Sequence, residues 1–316
     1  MADTIAALST PPGQAGIGIV RLSGPLAKDI AGRIFRAKHP STAWKSHLLT
    51  LGRLVDPDTG VTVDEVLLAC MKAPHSYTRE DVVEINTHSG HALVERILRM
   101  VLNAGARAAR PGEFTFRAFM NGRIDLTQAE AVMDLIQAKS ERGVELASSQ
   151  LCGRMKERVE CVRRSVLDIL AHTEVGIDYP DETNGVSSGE EASSWLMQAV
   201  IGPLSEIRDA YAQRRFWADG VKTAIVGRVN TGKSSLLNRL AEEERAIVTR
   251  VPGTTRDIIE ALIHVDGLPL RLQDTAGYRA AKGEVERIGM ERTEQALERA
   301  NLALVVVDRS RSLEEQ

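Results

Sequence analysis

The chain has 316 residues, 43% hydrophobic and 26% charged, with a formal net charge of −3 at pH 7. That length accommodates about two to three domains, and the near-neutral balance argues against a strong, autonomous nucleic-acid binder. No apolar run approaches the ~20 residues of a membrane helix, and the N-terminus lacks a signal-peptide core.

Residues 1–120 read as an α+β domain. Thr4–Leu8 and Ile17–Leu22 are short apolar runs on either side of a turn, Pro11-Pro-Gly-Gln-Ala-Gly16. Leu26–Phe35 has helical periodicity, and Leu48–Val55 and Val61–Met71 are strands about the turn Asp56-Pro-Asp-Thr-Gly60. Asp81–Asn86 is a further strand, and His91–Leu102 a helix ended by Gly105. The glycines of Gly13-Gln-Ala-Gly-Ile-Gly18 do not have dinucleotide-loop spacing. His88 and His91 lack a third metal ligand and read as ordinary surface or loop residues.

Residues 121–217 change to helical character. Leu126 to Ala138 form an amphipathic helix, with Thr127 and Glu130 as its capping box. Val144–Thr173 reads as one long second helix, ended by Asp178-Tyr-Pro-Asp-Glu-Thr-Asn-Gly185, and Ser188–Arg215 as a third. The three cysteines, Cys70, Cys152 and Cys161, are odd in number and have no metal-ligand spacing. They read as buried, inert thiols of a protein in a reducing cytoplasm.

Residues 218–316 carry the chemistry. Gly227, Gly232, Lys233 and Ser234 spell G-x-x-x-x-G-K-[ST], the phosphate-binding loop. An apolar strand, Thr223–Val226, precedes it, and Leu236, Leu237 and Leu240 follow at helical spacing. Strand, glycine loop and helix start gather backbone N–H groups and a helix dipole around one phosphate. Lys233 suits the outer phosphates and the Ser234 hydroxyl suits Mg²⁺. Leu268–Gln273 is a strand running into Asp274-Thr-Ala-Gly277, where Asp274 suits Mg²⁺ through water and Gly277 a γ-phosphate. Between the two lies Pro252-Gly-Thr-Thr-Arg-Asp257, a polar loop of switch character. Asp266-Gly267 predicts a hairpin between Ile258–Val265 and Leu268–Gln273. The segments follow the order of a GTPase domain, with a P-loop α/β fold.

GRVNTGKSS, PGTTRD, DTAGYRAAKGEVERIGMER, TPPGQAGIGIVRLSG, YTREDVVEINTHSG and ARPGEFTFRAFMNGRIDLTQAEAV together resemble the MnmE (TrmE) family of bacterial tRNA-modification GTPases. The resemblance covers essentially the whole chain. It implies a multidomain protein: a tetrahydrofolate-binding, dimerising α+β domain (1–120), the N-terminal part of an all-α helical domain (121–217) and a P-loop α/β GTPase domain (218–316). It implies a homodimer that works with an FAD-dependent partner, MnmG (GidA). Together they add an aminomethyl-type (carboxymethylaminomethyl) group to C5 of the wobble uridine of certain tRNAs. The one-carbon unit would come from 5-formyl- or 5,10-methylenetetrahydrofolate.

The same resemblance assigns residues. Asn230, Thr231, Gly232, Lys233, Ser234 and Ser235 would meet the nucleotide from the loop. Thr249, Arg250, Val251, Pro252, Gly253, Thr254 and Thr255 would meet it from the following segment, and Asp274, Thr275, Ala276 and Gly277 from the DTAG strand end. Ser234 and Thr255 would hold Mg²⁺, and Asn230, Thr249, Val251 and Thr254 a K⁺ ion. Tyr278 stands where many GTPases place a water-orienting Gln, and no arginine finger is evident, so a monovalent cation suits the missing charge. Glu286 matches the family's proposed water-orienting acid. Arg21, Glu84 and Arg123 carry over as folate contacts, with Arg123 where the family often has Lys. A carboxylate suits the pterin edge and arginine the glutamate tail.

The sequence runs to Gln316 without an N-K-x-D guanine-reading motif, so it reads as a fragment or truncated product, with guanine selectivity implied by the resemblance alone. Two other readings stay open on the residues: a P-loop GTPase of ribosome assembly or metal trafficking, and a non-catalytic folate-binding module.

Overall fold

The computed structural model describes residues 3–39, 44–179, 189–227, 231–243, 247–250, 259–274 and 297–308. The chain forms two compact units, Met1–Ala129 and Glu130–Gln316.

The first unit is built on a seven-stranded sheet. Its strands are β1 (Ile5–Leu8), β2 (Ala15–Ser23), β3 (Phe35–Ala37), β4 (Leu49–Val55), β5 (Thr62–Met71), β6 (Val82–Ser89) and β7 (Arg107–Ala108). They lie in the order β3-β4-β5-β6-β2-β1-β7, antiparallel throughout except for the β1–β7 pair. Helices α1 (Ala27–Ile34) and α2 (His91–Asn103) bring Ile30, Ile34, Ile97 and Val101 into a core with Val20, Leu22, Leu68 and Ile85. Strand alternation then turns every second residue outward. On that outer face Leu49, Leu51 and Leu67 are exposed, and Leu51 and Leu67 stand opposite each other across β4 and β5. Gly52 is fixed by close approach: a Cβ there would lie 2.4 Å from the Phe35 ring.

The strands and helices read from the sequence are present here. Three short elements were not legible: β3, β7 and α3 (Glu113–Met120). Each depends on a long-range partner. β7 forms by pairing with β1, which is a hundred residues earlier in the chain.

α4 (Leu126–Gln137) forms where expected, but its cap differs. The backbone N–H of Asp125 donates to Gln128 Oε1 at 2.9 Å, and that of Gln128 to Asp125 Oδ1 at 2.9 Å. The reciprocal box is therefore Asp125/Gln128, two residues ahead of Thr127/Glu130. Thr127 instead donates its hydroxyl to Asp125 Oδ1.

In the second unit the expected single helix over Val144–Thr173 is two, α5 (Glu141–Leu151) and α6 (Arg154–Asp178). Gly153 adopts φ 89°, a left-handed conformation that ends one helix and starts the next. Cys152 and Cys161 are both exposed, so only Cys70 is the buried thiol expected of all three. The third helix is α7 (Gly189–Leu196), a π turn at Met197–Ile201, then α8 (Gly202–Asp219).

The second sheet holds β8 (Val221–Val226), β9 (Ile247–Arg250), β10 (Ile259–Val265), β11 (Leu268–Asp274) and β12 (Leu302–Val305), in the order β12-β8-β11-β10-β9. β8 has parallel neighbours on both sides, and β10 and β11 form the expected antiparallel hairpin. Asp266 (φ 50°) and Gly267 (φ 79°) make its turn, the double positive φ for which Asp-Gly is suited. α9 (Lys233–Glu243) packs Leu237 and Leu240 against Ile225, Ile263 and Leu272, while Leu236 stays on the surface. The fold is thus mixed α/β, with an N-terminal α+β unit and a P-loop-type sheet.

Candidate functional site

β8 runs inside its sheet, between β12 and β11, and the chain turns out of it at Gly227. A Cβ on Gly227 would lie 2.4 Å from the carbonyl oxygen of Val306, and its φ is 150°, so only glycine fits. Val306 is held there because its N–H donates to Val226 O at 2.8 Å. At the other end of the loop Gly232 has φ 92° and open space around it. Its carbonyl accepts from Leu236 N at 2.8 Å, which sets the first turn of α9. Lys233 opens that helix. It is 9% exposed, and its ammonium donates to the Gly227 carbonyl at 2.6 Å.

The sheet register puts further expected residues at the same end. Asp274 pairs with Ile225 on β8, so the two strands finish side by side. Thr249 and Gln273 both stand opposite Glu260, which aligns the ends of β9 and β11 across β10. Thr249 and Arg250 are nevertheless on the far edge strand from β8. Thr231, Gly232, Lys233, Ser234 and Ser235 form the end of the loop and the first turn of α9, whose N–H groups and dipole favour an anion. The donor set fits a polyphosphate. Asn230, Val251, Pro252, Gly253, Thr254, Thr255, Thr275, Ala276, Gly277 and Glu286 lie outside the described residues.

The three expected folate contacts converge in the first unit. Arg21 on β2 faces Glu84 on β6, and Arg21 Nε donates to Glu84 Oε1 at 2.7 Å. The Arg21 guanidinium lies 5.8 Å from the centre of the Tyr77 ring and 5.6 Å from that of Phe114. Arg123 lies 5.0 Å from the same Tyr77 ring. A carboxylate, two guanidiniums and two aromatic rings suit a planar heterocycle bearing acid groups. Tyr77 and Phe114 were not singled out in the sequence. Both occur within blocks that carry the resemblance, YTREDVVEINTHSG and ARPGEFTFRAFMNG, where an aromatic residue between polar ones was the available signal.

Beneath this cluster lies a buried ionic network. Arg117 on α3 is 1% exposed and donates to Glu80, Asp3 and Glu113 at 2.8–3.2 Å. Arg107 bonds Glu113 as well, at 2.6 Å to Oε1. The hydrogen bond from Arg107 holds the Glu113 carboxyl down to about 2 against the opposing effect of burial, with Arg110 N–H and Arg117 adding to it. For Arg117, burial acts to lower the guanidinium pKa, but Glu80, Glu113 and Asp3 together raise it. The network fixes α3, and with it Phe114 and Thr115.

No group of three or more His, Cys, Asp or Glu side chains that could hold a metal is present among the described residues. His88 and His91 are surface residues, as expected, paired with Asp64 and Glu95.

Comparison with known proteins identifies two families. Residues 4–123 match the GTP-binding protein TrmE N-terminus, and residues 222–316 match the 50S ribosome-binding GTPase family. The tRNA modification GTPase MnmE of Alkaliphilus oremlandii is 50% identical, over 99% of this chain and 68% of that protein. Those of Geobacillus kaustophilus and Lacticaseibacillus paracasei are 49% and 48% identical over the same shares. The crystal structure of the G domain of the T. maritima FeoB iron transporter aligns at 28% identity over 28% of this chain and 54% of that one, with a TM-score of 0.21, too low to bear on the fold. A strand–loop–helix phosphate cradle on a mixed sheet defines a P-loop GTPase-type protein. The chain belongs to the MnmE family of tRNA modification GTPases.

Proposed function

We propose that this protein is a tRNA-modification GTPase, a hydrolase acting on GTP, that couples turnover in its second unit to one-carbon chemistry from a folate held in its first. The observation that carries the GTPase half is the Lys233–Gly227 contact at 2.6 Å, at the mouth of a loop that follows an interior strand with parallel neighbours and opens a helix. The ammonium and the first-turn N–H groups are then fixed donors for phosphate oxygens, and fixed donors stabilise charge that develops during transfer.

Ser234 and Thr255 would hold Mg²⁺, with Asp274 acting through water, and Asn230, Thr249, Val251 and Thr254 would hold K⁺. These ions would neutralise the phosphate charge. Glu286 would orient the attacking water. In the first unit Arg21, Glu84 and Arg123 would bind the tetrahydrofolate derivative, which would supply the carbon for an aminomethyl-type group at C5 of a wobble uridine. The residues present fit that ligand: Arg21 and Arg123 suit carboxylates, and Tyr77 and Phe114 suit a planar ring.

An FAD-dependent MnmG-like protein would be the partner, in the cytoplasm. Residues 1–120 would be the folate-binding and dimerising domain, 121–217 the helical domain and 218–316 the GTPase domain. The exposed apolar strip of Leu49, Leu51 and Leu67 supports dimerisation, because a second copy of the same face would remove it from water. No described helix is long and apolar enough to cross a membrane.

Phosphate release from GTP and calorimetric binding of 5-formyltetrahydrofolate, measured on one preparation, test the two halves separately. We expect both. Turnover without folate binding would remove the one-carbon role, and folate binding without turnover would remove the GTPase.

A further inference from the structure

We infer that Tyr77 is a positioning residue of the folate site, whose aromatic ring holds the guanidiniums of Arg21 and Arg123 together against one surface. This inference rests on the folate reading above and deepens it.

Two like charges repel, and bringing both within 6 Å of one point needs compensation. Glu84 supplies part of it by pairing with Arg21. Among the described residues Arg123 forms no ion pair, so the cluster keeps spare positive charge. The negative face of an aromatic ring is the remaining compensation, and Tyr77 is the ring common to both arginines. Among the described residues Phe114 has a cation–π contact with Arg21 and none with Arg123.

The Tyr77 ring is itself held in place. Its hydroxyl bonds the Thr115 hydroxyl at 2.9 Å, on the helix that the buried Arg117 network anchors. The next residue, Thr78, accepts from Asn121 Nδ2 through its carbonyl at 2.6 Å, and Arg79 donates to Asn121 O at 3.0 Å. The loop and the turn that carries Arg123 are thereby stapled together. An ordered ring of this kind costs a ligand little conformational entropy to meet. It presents two preset cations beside an apolar surface, a match for an anionic ligand that also carries a flat ring.

The ring, not the hydroxyl, is the working part in this arrangement, and that separates positioning from a general structural role. The test is calorimetric titration of the full chain with 5-formyltetrahydrofolate for wild type, Tyr77→Phe, Tyr77→Leu and Phe114→Leu, with circular dichroism and thermal unfolding on each. Tyr77→Phe should bind within about twofold of wild type. Tyr77→Leu should bind about tenfold more weakly at unchanged helix content, since a desolvated cation–π contact is worth one factor of ten or so. Phe114→Leu, which removes one contact of three, should lose about threefold and remains informative if Tyr77→Leu does not fold. Wild-type affinity in both leucine variants overturns the role of the rings while leaving the folate site standing. Equal losses in Tyr77→Phe and Tyr77→Leu assign the effect to the Thr115 bond and also overturn it. A wild-type protein that does not bind the folate removes the underlying reading and the inference with it.

Discussion

The Lys233 ammonium donates to the backbone carbonyl oxygen of Gly227 at 2.6 Å, folding the first side chain of α9 back over the loop that precedes it. The contact joins the two ends of the phosphate-binding loop. It also keeps a largely buried cation at the point where β8, β11 and α9 meet, since Asp274 ends β11 beside Ile225. A buried ammonium is tolerated because it is hydrogen-bonded, and a phosphate is a stronger partner than a carbonyl.

Gly227 is constrained from the other side by β12. In Gly227→Ala the new methyl would meet the Val306 carbonyl at 2.4 Å, in a backbone conformation that alanine rarely adopts. The expected cost is about 2 kcal/mol or more, and the loop shifts to relieve it. Thermal unfolding with and without GTP should show a lower transition and a smaller shift from the nucleotide. A variant with wild-type stability and wild-type stabilisation by GTP would mean that the β12 contact does not constrain the loop.

Glu113 gives a pH test in the first unit. Its carboxyl sits near 2 in the fold against an ordinary 4.5, chiefly through Arg107. A depressed carboxyl stabilises the fold above its unfolded value, and the contribution is lost as pH falls from about 4.5 towards 2. Glu113→Gln should therefore be less stable than wild type by roughly 3 kcal/mol at pH 7, the equivalent of a carboxyl moved from 4.5 to about 2, in which the Arg117 contact is already included. The gap should hold constant down to pH 5 and narrow below it. A gap that widens on acidification would reverse the assignment.

The position of Tyr278 and the proposed role of Asn230 give a cation test. Hydrolysis should be faster in K⁺ than in Na⁺ at equal ionic strength, and Glu286→Ala should lower turnover with nearly unchanged nucleotide affinity. Equal rates in the two salts would take the monovalent ion out of the mechanism. A large affinity loss at normal turnover would make Glu286 structural.

What the sequence disclosed follows the range of the forces involved. The loop glycines, the Asp266-Gly267 turn and the apolar periodicities are local signals, and β8, α9 and the β10–β11 hairpin appear where those signals put them. Elements that exist by long-range pairing were silent, as with β7 against β1 and β9 against β10. The long helix failed at Gly153 because a helical stripe outweighs one glycine in pattern reading, although the backbone there is left-handed. The capping box was misplaced by two residues since Asp-x-x-Gln and Thr-x-x-Glu overlap in Asp125–Glu130, and only the hydrogen bonds distinguish them. At the Arg21–Glu84–Arg123 cluster the charged residues came from the resemblance. The rings beside them emerged only once the fold had brought Tyr77, Phe114, Arg21 and Arg123 together.

The most direct measurement is phosphate release from GTP by wild type and Lys233→Ala, with 5-formyltetrahydrofolate affinity measured on both as a check that the first unit is intact. Removing a preorganised charge from the phosphate site should lower turnover by about a hundredfold or more, with folate affinity unchanged. Lys233→Ala turning over GTP within about twofold of wild type would place the phosphates elsewhere and contradict the nucleotide site assigned to Gly227–Ser234.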